Sequence, residues 1–499
     1  MLCLSVCMFS LYGCFGEDSF EGLDVTNLKR SDVVGAKYVK NETGHWVPLK
    51  FTPLSEGEFN VEVTNRAWGS YESWDINESR KDPIYDRKRR RIKLKRVLSW
   101  VLAILLVLIF EIPHASADNE KVSGDFSYQL KGNGTAIITG YHGKENEDIY
   151  IPKIIDGYTV TAIGEKAFTK YIIDFDLMIG LKVKNLLIPD TVVSIGAKAF
   201  MGMELEAKSI TIPASVQHIG PGAFSDISGL SQFVVAKENS VYATIDGVLY
   251  NKVEKELVAF PRGLCIGITN VDVSIPEGIK SIGDYAFFRC GEAINGLKLR
   301  LPQTLERIGA YAFSGCHMAQ GGGKISLKQL KMPASLKELG EGAFSGCSCD
   351  GIDFSETEIT IIPYLAFNYY KGAFGGEIIL PSKLVSIENN AFSYAEYSHI
   401  NEMPSTLVTI GDKAFFSTNY LLPSNLVLPE GLQSIGSSAF AESKSLESLT
   451  LPSSLRSIGD NMCDRTKVSI DAPAGSYASL WASENGYTSN GEEDTSWLN

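Results

Sequence analysis

The sequence predicts a repeat solenoid whose short parallel strands form one curved sheet. A hexapeptide of the form Ile-Gly-x-x-Ala-Phe recurs along the chain, its base period is 23 residues, and Leu-x-Leu-Pro precedes most copies. A fixed period of about 20–50 residues is typical of solenoids, because each repeat buries its apolar side only against its neighbours. The chain has 499 residues, of which 44% are hydrophobic, so it can build a large core.

The hexapeptide is the first element of each repeat. Its copies span residues 163–168, 195–200, 219–224, 282–287, 308–313, 339–344, 362–367, 387–392, 410–415 and 435–440, with a decayed copy at 458–463. When coils stack, the phenylalanines are expected to form a continuous aromatic row inside the solenoid. The glycine after the isoleucine is expected to supply a backbone conformation that bulkier residues disfavour.

The Leu-x-Leu-Pro segment is the second element. Its alternation is typical of a half-buried strand, and proline, which lacks an N–H group, ends that strand. The middle residue of Leu-x-Leu is therefore expected to face outward. In mid-array these outward residues include Arg300, Lys331 and Asp353. We interpret the three as a charged ladder that contacts a ligand, with solvated side chains as the alternative.

A second candidate surface is aromatic. Tyr369, Tyr370, Tyr394 and Tyr397 crowd two neighbouring coils. Exposed tyrosines would anchor a protein or a glycan, since aromatic side chains supply much of the energy at binding sites. Packing beneath the loops is the alternative interpretation.

The cysteines follow the register of the repeat. Cys290, Cys316 and Cys347 each lie three residues after the repeat phenylalanine, where other coils carry small or apolar residues. Thiols suit such a site as small hydrophobes. Side chains stacked in parallel register do not point at one another as a disulfide requires. We therefore expect mostly free, buried thiols at these positions.

The repeats carry no recognisable catalytic constellation. His142, His218, His317 and His399 lack metal-ligand spacing, and neither a nucleophile elbow nor a phosphate-binding loop is present. We predict no catalytic residue, no cofactor and no metal site. A net charge of −13 argues against nucleic-acid binding, which needs a positive surface. A self-associating structural protein and, more remotely, an enzyme remain the alternatives.

An export signal is predicted before the repeats. Residues 87–96 are mostly basic, residues 97–110 are apolar except for one serine, and Ala115 and Ala117 follow. This order is typical of a secretory signal at 87–117 that is cleaved after Ala117. The alternative is an uncleaved anchor with residues 1–86 in the cytoplasm, and in either case membrane contact is expected only through 97–110. Residues 1–86 stay unassigned, and a misplaced start site is one interpretation.

These repeats resemble the BspA-like leucine-rich repeats of bacterial surface proteins. The resemblance covers roughly residues 124–487 and is specific, because near-intact copies recur at a common spacing. It implies an α/β leucine-rich-repeat solenoid, a right-handed coil of about 11–12 turns. It also implies an exported adhesin or interaction module, expected to be a monomer, that binds a protein or glycan on a host or neighbouring cell.

The resemblance also sets the expected domain boundaries. The Asp246-Gly247 pair between apolar runs predicts a hairpin inside a variant coil. The expected parts are a β-hairpin cap at 118–160, leucine-rich repeats at 161–470 with a variant insert at 225–272, a helix-bearing cap at 471–487 and a disordered tail at 488–499.

Overall fold

The structure is a computed structural model with two compact units, Met1–Ile112 and Pro113–Asn499. It describes residues 38–40, 46–55, 58–67, 70–73, 120–171, 178–264, 271–290, 297–316, 330–349, 351–400 and 402–487. The signal at 87–117 with Ala115 and Ala117, His317 and the tail at 488–499 lie outside these residues. Within the described part, no helix is both long and apolar enough to cross a membrane.

The first unit contains an antiparallel four-stranded sheet. Its strands are β1 (Tyr38–Lys40), β2 (Trp46–Ser55), β3 (Glu58–Ala67) and β4 (Ser70–Ser73), paired in that order. Sequence analysis left this region unassigned. Phe59, Val61 and Val63 alternate with polar residues in β3, a period of two that indicates a strand.

The second unit is a solenoid of about 12 turns built from short strands. Its first strands are β5 (Lys121–Ser123), β6 (Phe126–Leu130), β7 (Thr135–Tyr141), β8 (Glu147–Tyr150), β9 (Ile154–Ile155), β10 (Tyr158–Ile163), β11 (Thr169–Tyr171), β12 (Met178–Gly180), β13 (Lys182–Leu187), β14 (Ser194–Ile195), β15 (Glu204–Leu205), β16 (Ser209–Ile212), β17 (His218–Ile219), β18 (Gln232–Val235), β19 (Tyr242–Ile245), β20 (Val248–Asn251) and β21 (Glu256–Ala259).

A 3₁₀ helix at Arg262–Leu264 separates these from the later strands. The later elements are β22 (Val271–Ser274), β23 (Ser281–Ile282), β24 (Leu297–Arg300), β25 (Arg307–Ile308), β26 (Leu330–Lys331), β27 (Glu338–Leu339), β28 (Ser348–Cys349), β29 (Ile352–Asp353), β30 (Ile361–Ile362), β31 (Lys371–Ile379), β32 (Ser386–Ile387), β33 (Glu396–His399), β34 (Thr409–Ile410), β35 (Asn425–Val427), β36 (Ser434–Ile435), β37 (Ser448–Thr450), β38 (Ser457–Ile458), β39 (Ser469–Asp471) and helix α1 (Tyr477–Glu484).

Most of the parallel strands form two ladders. The leucine ladder contains the Leu-x-Leu strands and runs through β16-β18, β22-β24, β26-β29-β31 and β35-β37-β39. The isoleucine ladder contains the strand before each hexapeptide glycine and runs through β10-β14-β17, β21-β23-β25-β27 and β30-β32-β34-β36-β38. The predicted solenoid is confirmed, but two ladders replace the single predicted sheet. The chain turns at proline and then forms a second short strand, which ends at the first residue of the hexapeptide and pairs with the same strand of the neighbouring coils.

The hexapeptide and the three residues after it form a third side, which we call the turn row. In the coil of Phe392, the amides of Asn390, Phe392 and Tyr394 donate to carbonyls of the next coil over 2.8–2.9 Å. The amides between them, those of Ala391 and Ser393, donate to carbonyls within the coil. Successive amides therefore bond alternately within one coil and between two coils, and each amide is satisfied.

The turn row also explains the low helix content. The residue before the alanine and the second residue after the phenylalanine have positive φ, as in Asn390 (φ 55°) and Tyr394 (φ 59°). Left-handed residues do not propagate a right-handed helix. The α part of the predicted α/β class is therefore confined, within the described residues, to α1 and the short 3₁₀ helix.

The hexapeptide glycines allow neighbouring coils to approach closely. A Cβ on Gly220 would lie 2.6 Å from the Ala197 nitrogen, and one on Gly196 would lie 2.5 Å from the Glu165 nitrogen. Neither glycine has positive φ. The expectation of an unusual backbone conformation was therefore wrong at this position. Glycine is required here because the backbone of the adjacent coil occupies the space of a side chain.

The predicted aromatic row is confirmed, with one interruption. Neighbouring rings lie 4.8–5.9 Å apart, centroid to centroid, with interplanar angles of 2–26°. The first segment comprises Tyr141, Phe168, Phe200 and Phe224, and the second comprises Phe260, Phe287, Phe313, Phe344, Phe367, Phe392, Phe415 and Phe440. The variant insert separates the two segments.

The insert is a variant coil with the predicted hairpin. β19 and β20 pair antiparallel around Asp246 (φ 50°) and Gly247 (φ 76°), the two positive φ angles of a type I′ turn. The Tyr242 hydroxyl accepts a hydrogen bond from the Ile219 amide at 2.8 Å, which ties the insert to β17. Phe260 then supplies the first ring of the second row segment.

Both ends of the solenoid are covered as the family resemblance implied. At the start, β6 and β7 form an antiparallel hairpin, and β7 pairs in parallel with β10. At the end, Ser476 caps α1 by accepting a hydrogen bond from the Ser479 amide. The Tyr487 hydroxyl donates to the Cys463 carbonyl at 2.9 Å, so the cap bonds directly to the last repeat.

We predict that Phe392→Ala lowers the free energy of unfolding by about 3–5 kcal/mol, because it leaves a cavity in the row. The Phe392 ring lies between Phe367 and Phe415, at 5.0 and 5.2 Å. The matched control is Phe416→Ala, since Phe416 follows the row and is partly exposed. Urea unfolding followed by circular dichroism measures both. Equal losses for the two variants would contradict a stabilising role for the row.

Candidate functional site

Register along the turn row decides which side chains face solvent. The second residue after the repeat phenylalanine points outward, as Tyr369 and Tyr394 show with exposed fractions of 54% and 38%. The third residue points inward, as the buried Cys316 and Cys347 show. Both positions recur in the regular coils, so a side chain at the outward position lies beside an inward one, although some coils carry glycine there, as at Gly315 and Gly346.

Tyr369 and Tyr394 form a stacked pair across two neighbouring coils. Their ring centroids lie 4.6 Å apart and the rings are within 5° of parallel. Phe416 of the next coil packs its edge against Tyr394 at 5.5 Å and 80°. The backbone beneath is fixed, because the Tyr369 amide donates to the Ser393 carbonyl at 2.9 Å. The rings are thus held in place before any partner arrives.

A second exposed pair lies in the same part of the array. Tyr397 and Tyr420 are stacked at 6.2 Å, and their exposed fractions are 38% and 47%. We call Tyr369, Tyr394, Tyr397 and Tyr420 the tyrosine patch. Tyr420 was not predicted from the sequence, although it lies one 23-residue period after Tyr397 and so was detectable from the repeat alone.

The structure corrects the prediction at Tyr370. This residue is completely buried, and its ring packs edge-on against Phe367. Its hydroxyl donates to the Cys349 carbonyl at 3.1 Å, and burial raises the pKa of the phenol. Tyr370 lies three residues after the repeat phenylalanine, the register of the buried cysteines, and therefore belongs to the core rather than to a binding surface.

The predicted charged ladder is only partly assembled. Lys331 and Asp353 are register partners in β26 and β29, whereas Arg300 ends β24, which pairs with β22 in another segment of the leucine ladder. The Lys331 ammonium pairs with Glu356 at 2.7 Å, which raises the pKa of the lysine. The Asp353 carboxylate accepts a hydrogen bond from the Ser355 amide. These charges are engaged with neighbours, so this ladder is a weaker candidate than the tyrosine patch.

The cysteine prediction is confirmed. Cys290, Cys316, Cys347, Cys349 and Cys463 are free and buried. The Cys316 thiol donates to the Phe287 carbonyl of the preceding coil at 2.7 Å. Burial raises the pKa of Cys347, and it raises that of Cys463 to about 12. Protonated, enclosed thiols of this kind are poor nucleophiles and poor metal ligands.

One pair in the N-terminal cap has the composition of a catalytic dyad. Ser127 Oγ and His142 Nε2 lie 2.6 Å apart. A nucleophilic serine must reach its substrate, yet Ser127 is buried within β6. The pair therefore fits a structural hydrogen bond between β6 and the end of β7. Within the described ranges, no group of three or more histidine, cysteine or acidic residues is placed to hold a metal ion.

The repeats match a family profile described as BspA type Leucine rich repeat region, in six copies. The matched residues are 144–262, 264–321, 295–422 and 370–472, which together exceed half of the chain. The chain belongs to the BspA-type leucine-rich repeat family. This membership confirms the family predicted from the hexapeptide, and it places the tyrosine patch within the BspA-type repeats.

Solved structures of other leucine-rich repeat proteins are similar to this BspA-type chain. A leucine rich cell surface protein from Faecalibacterium prausnitzii is 22% identical, with a TM-score of 0.40, over 76% of this chain and 99% of that one. A leucine-rich repeat protein from Bacteroides ovatus is 22% identical, with a TM-score of 0.38, over 75% and 98%. At these TM-scores the likeness adds no argument about the site. No curated protein matches the chain.

Proposed function

We propose that this protein is a non-catalytic, exported or cell-surface interaction module that binds a protein or glycan on a host or neighbouring cell. The observation that carries the proposal is the tyrosine patch, four exposed rings stacked in two pairs on adjacent coils. Tyrosines supply large amphipathic contact areas at low entropic cost, and they are enriched among residues that dominate binding energies. Their fixed backbone reduces the cost of ordering the site further.

The patch is better suited to binding than to chemistry. It offers ring faces and phenol hydroxyls, and the amides of Tyr369, Tyr394 and Tyr397 already donate to carbonyls of the next coil. The BspA-type solenoid supplies a long rigid support, since each coil is fixed by its neighbours. The protein is proposed to act as a monomer, without a cofactor and without nucleic acid, in keeping with its net charge of −13.

We predict that replacing all four tyrosines of the patch with alanine weakens binding at least about tenfold, because exposed aromatic anchors carry much of the energy of an interface. The full-length chain is tested against immobilised host extracellular-matrix proteins, polysaccharides and whole cells by surface plasmon resonance. The matched control replaces Tyr150 and Tyr477, which are also exposed but lie near the two ends of the solenoid.

Two results would contradict the proposed function. One is an equal loss of affinity in the control variant, which would mean that the patch is not the binding surface. The other is the absence of binding to every surface together with concentration-dependent assembly in sedimentation. That outcome would favour the self-associating structural protein instead.

The exported location rests on the sequence of residues 87–117. A basic segment followed by an apolar one directs the following chain across the membrane. If cleavage occurs after Ala117, mass spectrometry of protein from the producing cells will find a mature chain that begins at Asp118. An intact chain in the membrane fraction would instead indicate an anchor at 97–110, and an intact chain in the cytosolic fraction would contradict export.

A further inference from the structure

The aromatic stack of the tyrosine patch is open at one end. Tyr394 is covered on one side by Tyr369 and on the other by the edge of Phe416. At the same register, the coil before Tyr369 carries Gly346 and the coil before that carries Gly315. Glycine has no side chain. The face of the Tyr369 ring that points away from Tyr394 therefore borders only backbone along this register, and the ring is 54% exposed.

The outward register of the turn row carries no charge around this ring. Over five successive coils the outward register holds Gly315, Gly346, Tyr369, Tyr394 and Ser417. The position one residue earlier is also uncharged but is largely buried, as Ser314, Asn368 and Ser393 show. Phe416 at this position is partly exposed, and the Lys413 ammonium lies 5.7 Å from its ring centroid. We call the outward register of these five coils the neutral strip. Charged residues make up 21% of the chain, so an uncharged strip along five coils defines a distinct surface.

Charges reappear at the outward register where the strip ends. Arg289 occupies it in the coil before Gly315, and Glu442 occupies it in the coil after Ser417. The Arg289 guanidinium pairs with the buried carboxylate of Asp226 at 2.9 Å, so it is held by a neighbouring coil of the solenoid. The strip thus offers a partner aromatic faces, the Ser417 hydroxyl and open backbone, and it contains no charged side chain of its own.

We propose that the neutral strip binds an uncharged polysaccharide, with one sugar ring stacked on the open face of Tyr369 above Gly346. A sugar ring has an apolar face of C–H groups that covers an aromatic ring, and an edge of hydroxyls that suits a polar, uncharged rim. A protein partner would favour a pocket for an anchoring side chain, whereas this surface is a row of ring faces. The inference rests on the proposed function and names the ligand class of the same site.

The site is organised before the sugar binds. The Gly346 amide donates to the Asn368 carbonyl at 2.7 Å, and the Tyr369 amide donates to the Ser393 carbonyl at 2.9 Å. These bonds fix the spacing between the coil of Tyr369 and the coils before and after it. A ligand therefore continues an existing stack and orders little protein, which lowers the cost of binding.

The test is affinity electrophoresis of the full-length chain in native gels. The gels contain one neutral polysaccharide, namely a mixed-linkage β-glucan, a xylan or a mannan, or one charged polysaccharide, hyaluronan or heparin. We expect retardation by at least one neutral polymer. Tyr369→Ala should weaken it at least about tenfold, whereas Tyr369→Phe, which keeps the ring, should stay within about threefold of the wild type.

A second variant blocks the ring face without removing the ring. Gly346→Asn adds a side chain beside Tyr369. Asparagine tolerates the positive φ of this position, which is 63°, and the nearest atom to an added Cβ is 3.7 Å away. We expect Gly346→Asn to lose most of the retardation while keeping the thermal unfolding midpoint close to that of the wild type. Tyr150→Ala is the control, because Tyr150 is exposed but lies outside the strip.

Three outcomes overturn the inference. They are equal retardation of Tyr369→Ala and wild type, stronger retardation by the charged polymers, and no retardation by any neutral polymer. If no neutral polymer retards the chain but a matrix protein still binds through the tyrosine patch, this inference fails and the proposed function stands. If the chain binds no surface at all, both fail.

Discussion

The close approach of neighbouring coils is the constraint on which the rest of this structure depends. Hydrogen bonds along two strand ladders and along the turn row fix the spacing between coils. The hexapeptide glycines permit that spacing because any side chain at Gly196 or Gly220 would enter the backbone of the adjacent coil. The same spacing brings the buried rings to 4.8–5.9 Å, where they stack.

The spacing that packs the core also arranges the surface. Tyr369 and Tyr394 occupy the same register in neighbouring coils, so the coil spacing that stacks Phe367 on Phe392 inside also stacks these two tyrosines outside. A repeat therefore displays a row of side chains with a defined separation. What the row binds depends on which residues occupy the outward register, and in this protein they give an aromatic, uncharged strip.

Much of the fold was predictable because the repeat makes one local pattern recur. The aromatic row, the free thiols and the hairpin at Asp246-Gly247 follow from register and turn chemistry alone. The second ladder was not predictable in the same way, because most of its strands are two residues long and carry little periodicity. Tyr370 was assigned to the binding surface because it is aromatic, although its register is that of the buried Cys347. The sheet at 38–73 was missed because one alternating run is a weak signal.

Inter-coil hydrogen bonds in the turn row hold Tyr369 and Tyr394 in place, and hydrogen exchange of the backbone amides measures this restraint. We expect the amides of Tyr369 and Tyr394, which donate to the next coil at 2.9 and 2.8 Å, to be protected as strongly as those of the isoleucine ladder. Rapid exchange at these two amides, with the ladder still protected, would show that the turn row is mobile and that the tyrosines are not held before a partner binds.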